Sequence, residues 1–166
     1  MMDDWCARAE VICFACAGRC CVDAYPPISG ACYERLLAQG VPADAFEWRG
    51  YRAVKARKDG TCIMCKGTRC SIHAIKPETC RAGPFTFDVR GEIIKIYLKE
   101  EAICPVVRLL REVPEAYRQQ FAIAKRSITH LVRNMGEDEL VAICQIEEPA
   151  TIKVAEIPRE YHDHRY

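Results

Sequence analysis

Eight of the chain's 12 cysteines fall into two short runs, and any fold the chain adopts must find a place for them. The first run is Cys13-Phe-Ala-Cys16-Ala-Gly-Arg-Cys20-Cys21. The second is Cys62-Ile-Met-Cys65-Lys-Gly-Thr-Arg-Cys70, followed by Cys80. A Cys104-Pro105 pair comes later. Two thiolates separated by two residues can grip one metal, because the turn between them brings both sulfurs to one side. Gly18 lets the backbone bend tightly. The turn around Lys66-Gly67-Thr68 folds Cys62 and Cys70 toward each other, and Pro77 stiffens the approach to Cys80. The adjacent pair Cys20-Cys21 is different. Successive side chains diverge, so one of the two serves a second iron, serves a second site, or packs.

The alternative use of so many cysteines is a disulfide framework. Such frameworks staple small secreted chains. This chain has 166 residues, enough to bury about 70% of the surface its unfolded form exposes. Its start, Met1-Met2-Asp3-Asp4, is acidic and lacks the basic opening of a secretory signal. The expectation is therefore a cytoplasmic protein with reduced, metal-binding thiols. Cys32 and Cys144 stand apart in apolar surroundings and read as buried, packed cysteines.

Sulfur-only ligation suits iron–sulfur clusters or zinc. Each takes four thiolates. The run has more sulfurs than one zinc can hold, so an iron–sulfur cluster, 4Fe–4S in kind, is the first expectation and zinc the alternative. The spacing matches neither bacterial nor plant-type ferredoxins, nor the two matched pairs of a zinc ribbon. The expected ligands are Cys13, Cys16, Cys20, Cys21, Cys62, Cys70 and Cys80, then Cys104, then Cys65. Arg19, Lys66, Arg69 and Arg81 lie beside them and could offset the cluster's negative charge. His73 follows Cys70 by three residues and reads as packed or outside the ligand set. His162 and His164 flank Asp163 in what looks like a solvated tail.

The pattern resembles that of the YkgJ-like cysteine-cluster family, named for zinc or iron chelation. That family carries a CxxC closely followed by a CC pair, as at Cys13, Cys16, Cys20 and Cys21. A helical Arg-Leu follows, similar to Arg35-Leu36. Then come Gly60-Thr61-Cys62, Cys70-Ser71-Ile72-His73, Lys76-Pro77, Cys80-Arg81-Ala82-Gly83-Pro84-Phe85 and Cys104-Pro105. Three residues separate Cys16 from Cys20 where many members have two, and Lys76 stands where Arg is common. The resemblance spans residues 10–106 and implies metal chelation. A related cysteine cluster occurs in flagellin lysine N-methylases, which is the route to an enzyme reading.

Elsewhere the chain reads as a small, irregular α+β domain. Residues 1–110 form the cysteine-cluster part, and 111–166 a helix and tail packed on the same domain. Residues 5–16 read as a short helix or turn. Ser29 suits a helix N-cap and Gly40 the stop. Residues 51–57 alternate as a strand, and Asp59-Gly60 is a turn. Phe85–Val89 and Ile93–Leu98 form a hairpin. From Pro114 to Met135, Tyr117, Phe121, Ala124, Ile128, Leu131 and Met135 make one apolar stripe on a helix that Gly136 ends. Residues 138–156 fit a short helix or strands, and 157–166 read as an exposed tail.

With 24 Lys and Arg against 23 Asp and Glu, no basic excess marks a nucleic-acid binder. No apolar run approaches the ~20 residues of a membrane-spanning helix. The partner expected is another protein or complex subunit. Three functions fit: an accessory, electron-transfer or cofactor-assembly protein; a cluster-dependent enzyme resembling the methylase domain; or a zinc-stapled interaction module. No Gly-rich nucleotide loop supports the second.

Overall fold

A computed structural model describes residues 4–148 and 150–162. The Met1-Met2-Asp3 start, Asp163 and His164 lie outside the described residues. The fold is α+β.

Helix α1 (Asp4–Ala15) buries none of its residues and leads into the first cysteine run. Helix α2 (Gly30–Ala38) starts where expected: the Ser29 hydroxyl accepts a hydrogen bond from the Cys32 amide at 3.0 Å. It ends at Gly40, whose φ of +92° suits a residue without a Cβ. Strands β1 (Phe46–Trp48) and β2 (Arg52–Val54) pair antiparallel. The Pro26–Ile28 segment lies beside β2, with Ile28 N bonded to Arg52 O and Val54 N to Pro26 O. Around it a small core collects Ile28, Cys32, Leu36, Phe46 and Val54.

Two-residue strands β3 (Cys65–Lys66) and β4 (Arg69–Cys70) form a tight hairpin inside the second cysteine run. Short helix α3 (Glu78–Ala82) then feeds β5 (Phe85–Arg90) and β6 (Ile93–Lys99), the expected hairpin. Helix α4 (Val106–Glu112) runs into α5 (Pro114–Arg133), with Pro114 in its first turn, where its missing N–H costs nothing. The α5 stripe packs as its spacing predicts. Ala124, Ile128 and Leu131 are fully buried, and Phe85 stacks against Tyr117 and Phe121 with ring centroids 5.6 and 5.3 Å away. These side chains join Ile94, Ile96, Val107 and Leu110 in the main core.

Residues 138–156 divide between both expectations: helix α6 (Glu137–Cys144), then strand β7 (Thr151–Pro158), which pairs antiparallel with β6. The tail expected over 157–166 begins later than read. Ile157 pairs with Ile94 and is 8% exposed, because strand alternation turns it toward the core beside Ala155. The sheet order is β5-β6-β7. Its other face carries Asp88, Lys95 and Glu156 in one cross-strand row of alternating charge. Among the described residues, no helix is long and apolar enough to cross a membrane.

Candidate metal centre

The first cysteine run is shaped by a reversal of the backbone. Cys13 lies in the last turns of α1, and Cys16 N still reaches Ile12 O at 2.9 Å. Ala17 and Gly18 then take positive φ values of 58° and 76°. The following 3-10 turn, Arg19–Cys21, is closed by Cys21 N bonding Gly18 O at 2.9 Å. A Cβ on Gly18 would lie 3.5 Å from Cys65 Sγ, so the two runs meet at close range here.

They are also tied backbone to backbone. Cys62 N donates to Cys21 O at 2.6 Å, Asp23 N donates to Gly60 O at 2.9 Å, and Val22 bridges Thr61. Within the second run, Cys65 N donates to Cys62 O at 2.9 Å. Cys65 then faces Cys70 directly across the β3–β4 pair. Arg57 braces this loop, its guanidinium donating to the carbonyls of Cys62, Ile63 and Cys65. Cys80 arrives on α3 and Cys104 in the turn before α4, which packs against α1.

The thiols influence one another. Burial, above all, raises Cys13, with Cys104 and Cys20 adding to it. Burial likewise raises Cys62, Cys70 and Cys104, each with neighbouring thiols pushing the same way. Cys80 is exposed as a residue, but its thiol lies deep enough among surrounding atoms to be pushed up to about 12 by burial. Cys20 and Cys21 share a hydrogen bond. It brings Cys20 down to about 6 and drives Cys21 upward. The cation the thiols face is Lys76, which acts on Cys13, Cys20, Cys70 and Cys80, while Lys99 acts on Cys20 and Cys104. Arg69 instead lies over the Phe14 ring at 5.1 Å, and Arg19, Lys66 and Arg81 are exposed. Lys76 and Lys99 escaped sequence reasoning, although Lys76 occupies the position of the family's common Arg.

No disulfide is formed among the described residues. Nor, among them, are three or more His, Cys, Asp or Glu side chains closed into a metal-holding group. The backbone brings the two runs together, and the thiol rotamers remain open. Reduced sulfurs beside two lysines are the donor set that soft metals select, so the residues fit the group the motif implies.

The sequence profile of the CxxCxxCC family, described as a "putative zinc- or iron-chelating domain", matches residues 12–105. The chain belongs to the CxxCxxCC family. No curated protein and no solved structure shows significant similarity to it. The CxxCxxCC match takes in all nine expected ligands and leaves out Cys6 and Cys144.

Cys32 falls inside the match but outside the cluster. It is 1% exposed, accepts a hydrogen bond from Arg35 at 3.4 Å, and is pushed up to about 11, chiefly by burial. Cys144 is half-buried and accepts from Val89 N at 3.4 Å. It lines an open groove of about 450 Å³ with Arg90, Glu137, Leu140, Val141 and Arg159, and none of the expected ligands reaches that groove. His73 is exposed rather than packed, because its 3-10 turn lies at the surface. His162 is exposed beside Arg133, its Nε2 3.3 Å from Arg133 Nη2. His130 has a role the sequence did not suggest. Its Nδ1 lies 3.1 Å from Oε1 of the buried Glu78.

Proposed function

We propose that this chain holds a cysteine-ligated metal centre, an iron–sulfur cluster of the 4Fe–4S kind in the first instance and zinc as the second reading. The ligands come from Cys13, Cys16, Cys20, Cys21, Cys62, Cys65, Cys70, Cys80 and Cys104. The observation that carries this is the docking of two runs some 40 residues apart: the 2.6 Å bond from Cys62 N to Cys21 O and the approach of Gly18 to Cys65 Sγ. Such a pairing concentrates thiols where ordinary packing gains nothing from them.

An iron–sulfur cluster would supply electron transfer or cofactor assembly; a zinc ion saturated by four thiolates would be structural. The chain's own residues supply the rest. Ala17 and Gly18 turn the first run back, Arg57 fixes the second, and Lys76 and Lys99 offset the thiolate charge. The protein then acts as an accessory, electron-transfer or assembly factor for another protein in the cytoplasm. A cluster-dependent enzyme related to the lysine N-methylase domain is the alternative with catalytic content, and a thermal shift with S-adenosylmethionine would revive it.

Anaerobic purification followed by metal and acid-labile sulfide analysis tests the assignment. Brown protein with iron and matching sulfide is the expected result. Colourless protein with stoichiometric zinc moves the function to a zinc-stapled interaction module. Protein without either metal, unable to take one up when reduced, would end the proposal.

A further inference from the structure

The nine thiols are not one undivided cluster. Taking the metal-binding reading as given, we infer that the chain builds two four-thiol centres, Cys13/Cys16/Cys20/Cys104 and Cys21/Cys62/Cys65/Cys70, joined at the Cys20-Cys21 peptide.

The backbone separates the sets. Cys21, Cys62, Cys65 and Cys70 belong to one continuous network: Cys62 N bonds Cys21 O, Cys65 N bonds Cys62 O, and Cys65 pairs with Cys70. Cys13 and Cys16 sit at the end of α1, which packs on α4, and Cys104 opens α4 by accepting from Val107 N at 3.1 Å. The neighbours each thiol feels divide the same way. Cys13 faces Cys104, Cys20 and Cys16, and Cys104 faces Cys20 and Cys16. Cys62 faces Cys70 and Cys65, while Cys21 faces Cys65 and Cys62 in addition to Cys20. In a 3-10 turn, consecutive residues are about 120° apart around the axis. One turn can therefore offer Cys20 to one side and Cys21 to the other. Cys80, the ninth thiol, faces Cys20, Cys62 and Cys70 and so lies on the seam.

Four thiolates are the full ligand set of a zinc ion, and equally of a cube-type cluster. Eight in two sets of four is what two soft-metal centres need. The sequence-adjacent pair that is awkward for one centre becomes the link between two. Loading requires only that side chains rotate on a backbone already in place, with each thiol releasing its proton as it binds metal.

The test is metal stoichiometry in the full chain. The reduced protein, titrated with Co²⁺ and then Zn²⁺ and followed by thiolate-to-cobalt absorption, is expected to bind two equivalents. Anaerobically isolated protein is expected to carry two zinc ions or two clusters' complement of iron and sulfide. Cys62→Ser with Cys65→Ser should remove one equivalent and keep the other. Cys13→Ser with Cys104→Ser should do the converse. Circular dichroism of each variant confirms that it is folded, and the wild-type count decides the matter if a variant is not. A single equivalent in wild type, or loss of both in either folded variant, overturns the division while leaving metal binding intact. No uptake at all removes the metal-binding reading itself.

Discussion

Ser29 and Glu78, 49 residues apart, are joined in the interior by a hydrogen bond from the Ser29 hydroxyl to Glu78 Oε1. The same Ser29 oxygen accepts from the Cys32 amide and so caps α2. Glu78 is 6% exposed and belongs to α3, the helix that carries Cys80. One hydroxyl thus ties the start of α2 to the element that delivers a thiol to the metal site. Glu78 Oε2 has no hydrogen-bond partner, so the carboxylate depends on what reaches Oε1.

Ser29→Ala removes a helix cap and a buried donor together. The expected loss is about 2 kcal/mol or more, read from urea unfolding of the reduced apo chain. His130 also reaches Glu78 Oε1, but its side chain is 53% exposed, so His130→Ala should cost no more than about 1 kcal/mol. Equal costs for the two variants would show that the cap and the buried bond are not what Ser29 contributes.

The main core should be separable from the metal site. Ile128 is fully buried on α5, within the cluster of Ile94, Ile96 and Leu110. Ile128→Ala should cost about 2–5 kcal/mol through lost burial and the cavity left behind. Metal bound per folded chain should stay at the wild-type value, because no candidate ligand other than Cys104 touches this core. Denaturation curves and metal analysis of the same preparation check both halves; a fall in metal content in the folded variant would couple the two regions.

Apo and loaded protein should respond to alkali in opposite ways. Burial raises the thiols of Cys13, Cys62, Cys70 and Cys104 above the ordinary 9.0, and takes Cys80 to about 12. The folded apo chain therefore holds these protons more tightly than the unfolded one. That stabilisation is fully present below pH 9.0 and is lost as pH rises through the folded values, toward about 12 for Cys80. Metal binding needs thiolates, so the loaded form gains from the same rise and weakens in acid. Melting temperatures of apo and loaded protein across that window should diverge. An apo melting temperature that does not fall would contradict the burial of these thiols.

What could be seen beforehand follows the range of the interactions. The α5 stripe, the β5–β6 hairpin and the Ser29 cap are local patterns, and all three stand where the residue spacing predicts them. Strand β7 was half legible, because its partner β6 lies more than 50 residues earlier and a bulge between its Ile96 and Tyr97 pairings breaks the simple alternation. The cysteine spacing pointed to two runs meeting. It could not say which thiol faces which, since that depends on the Cys62–Cys21 bond and the packing of α1 on α4. Lys76 and Lys99 were missed for the same reason: their charge reaches the thiols through space. The buried Glu78 left no trace in the pattern, as one acidic residue before a cysteine looks like surface.

Gly60 is the residue whose replacement should separate the two runs without touching a sulfur. Its φ is +84°, in the left-handed region that costs an ordinary residue roughly 1–2 kcal/mol. Its carbonyl receives the Asp23 amide at 2.9 Å, one step from the Cys62–Cys21 bond. A Cβ there would come within 2.3 Å of Asp23 Oδ1. Gly60→Ala should therefore loosen the docking of the runs and lower metal affinity, with far-UV circular dichroism little changed. Asp23→Gly removes the obstructing carboxylate, and in the double variant it should restore part of the affinity; the strain at position 60 remains. A double variant no better than Gly60→Ala would assign the loss to the backbone alone. Wild-type affinity in Gly60→Ala would mean that the contact between the runs does not govern metal binding.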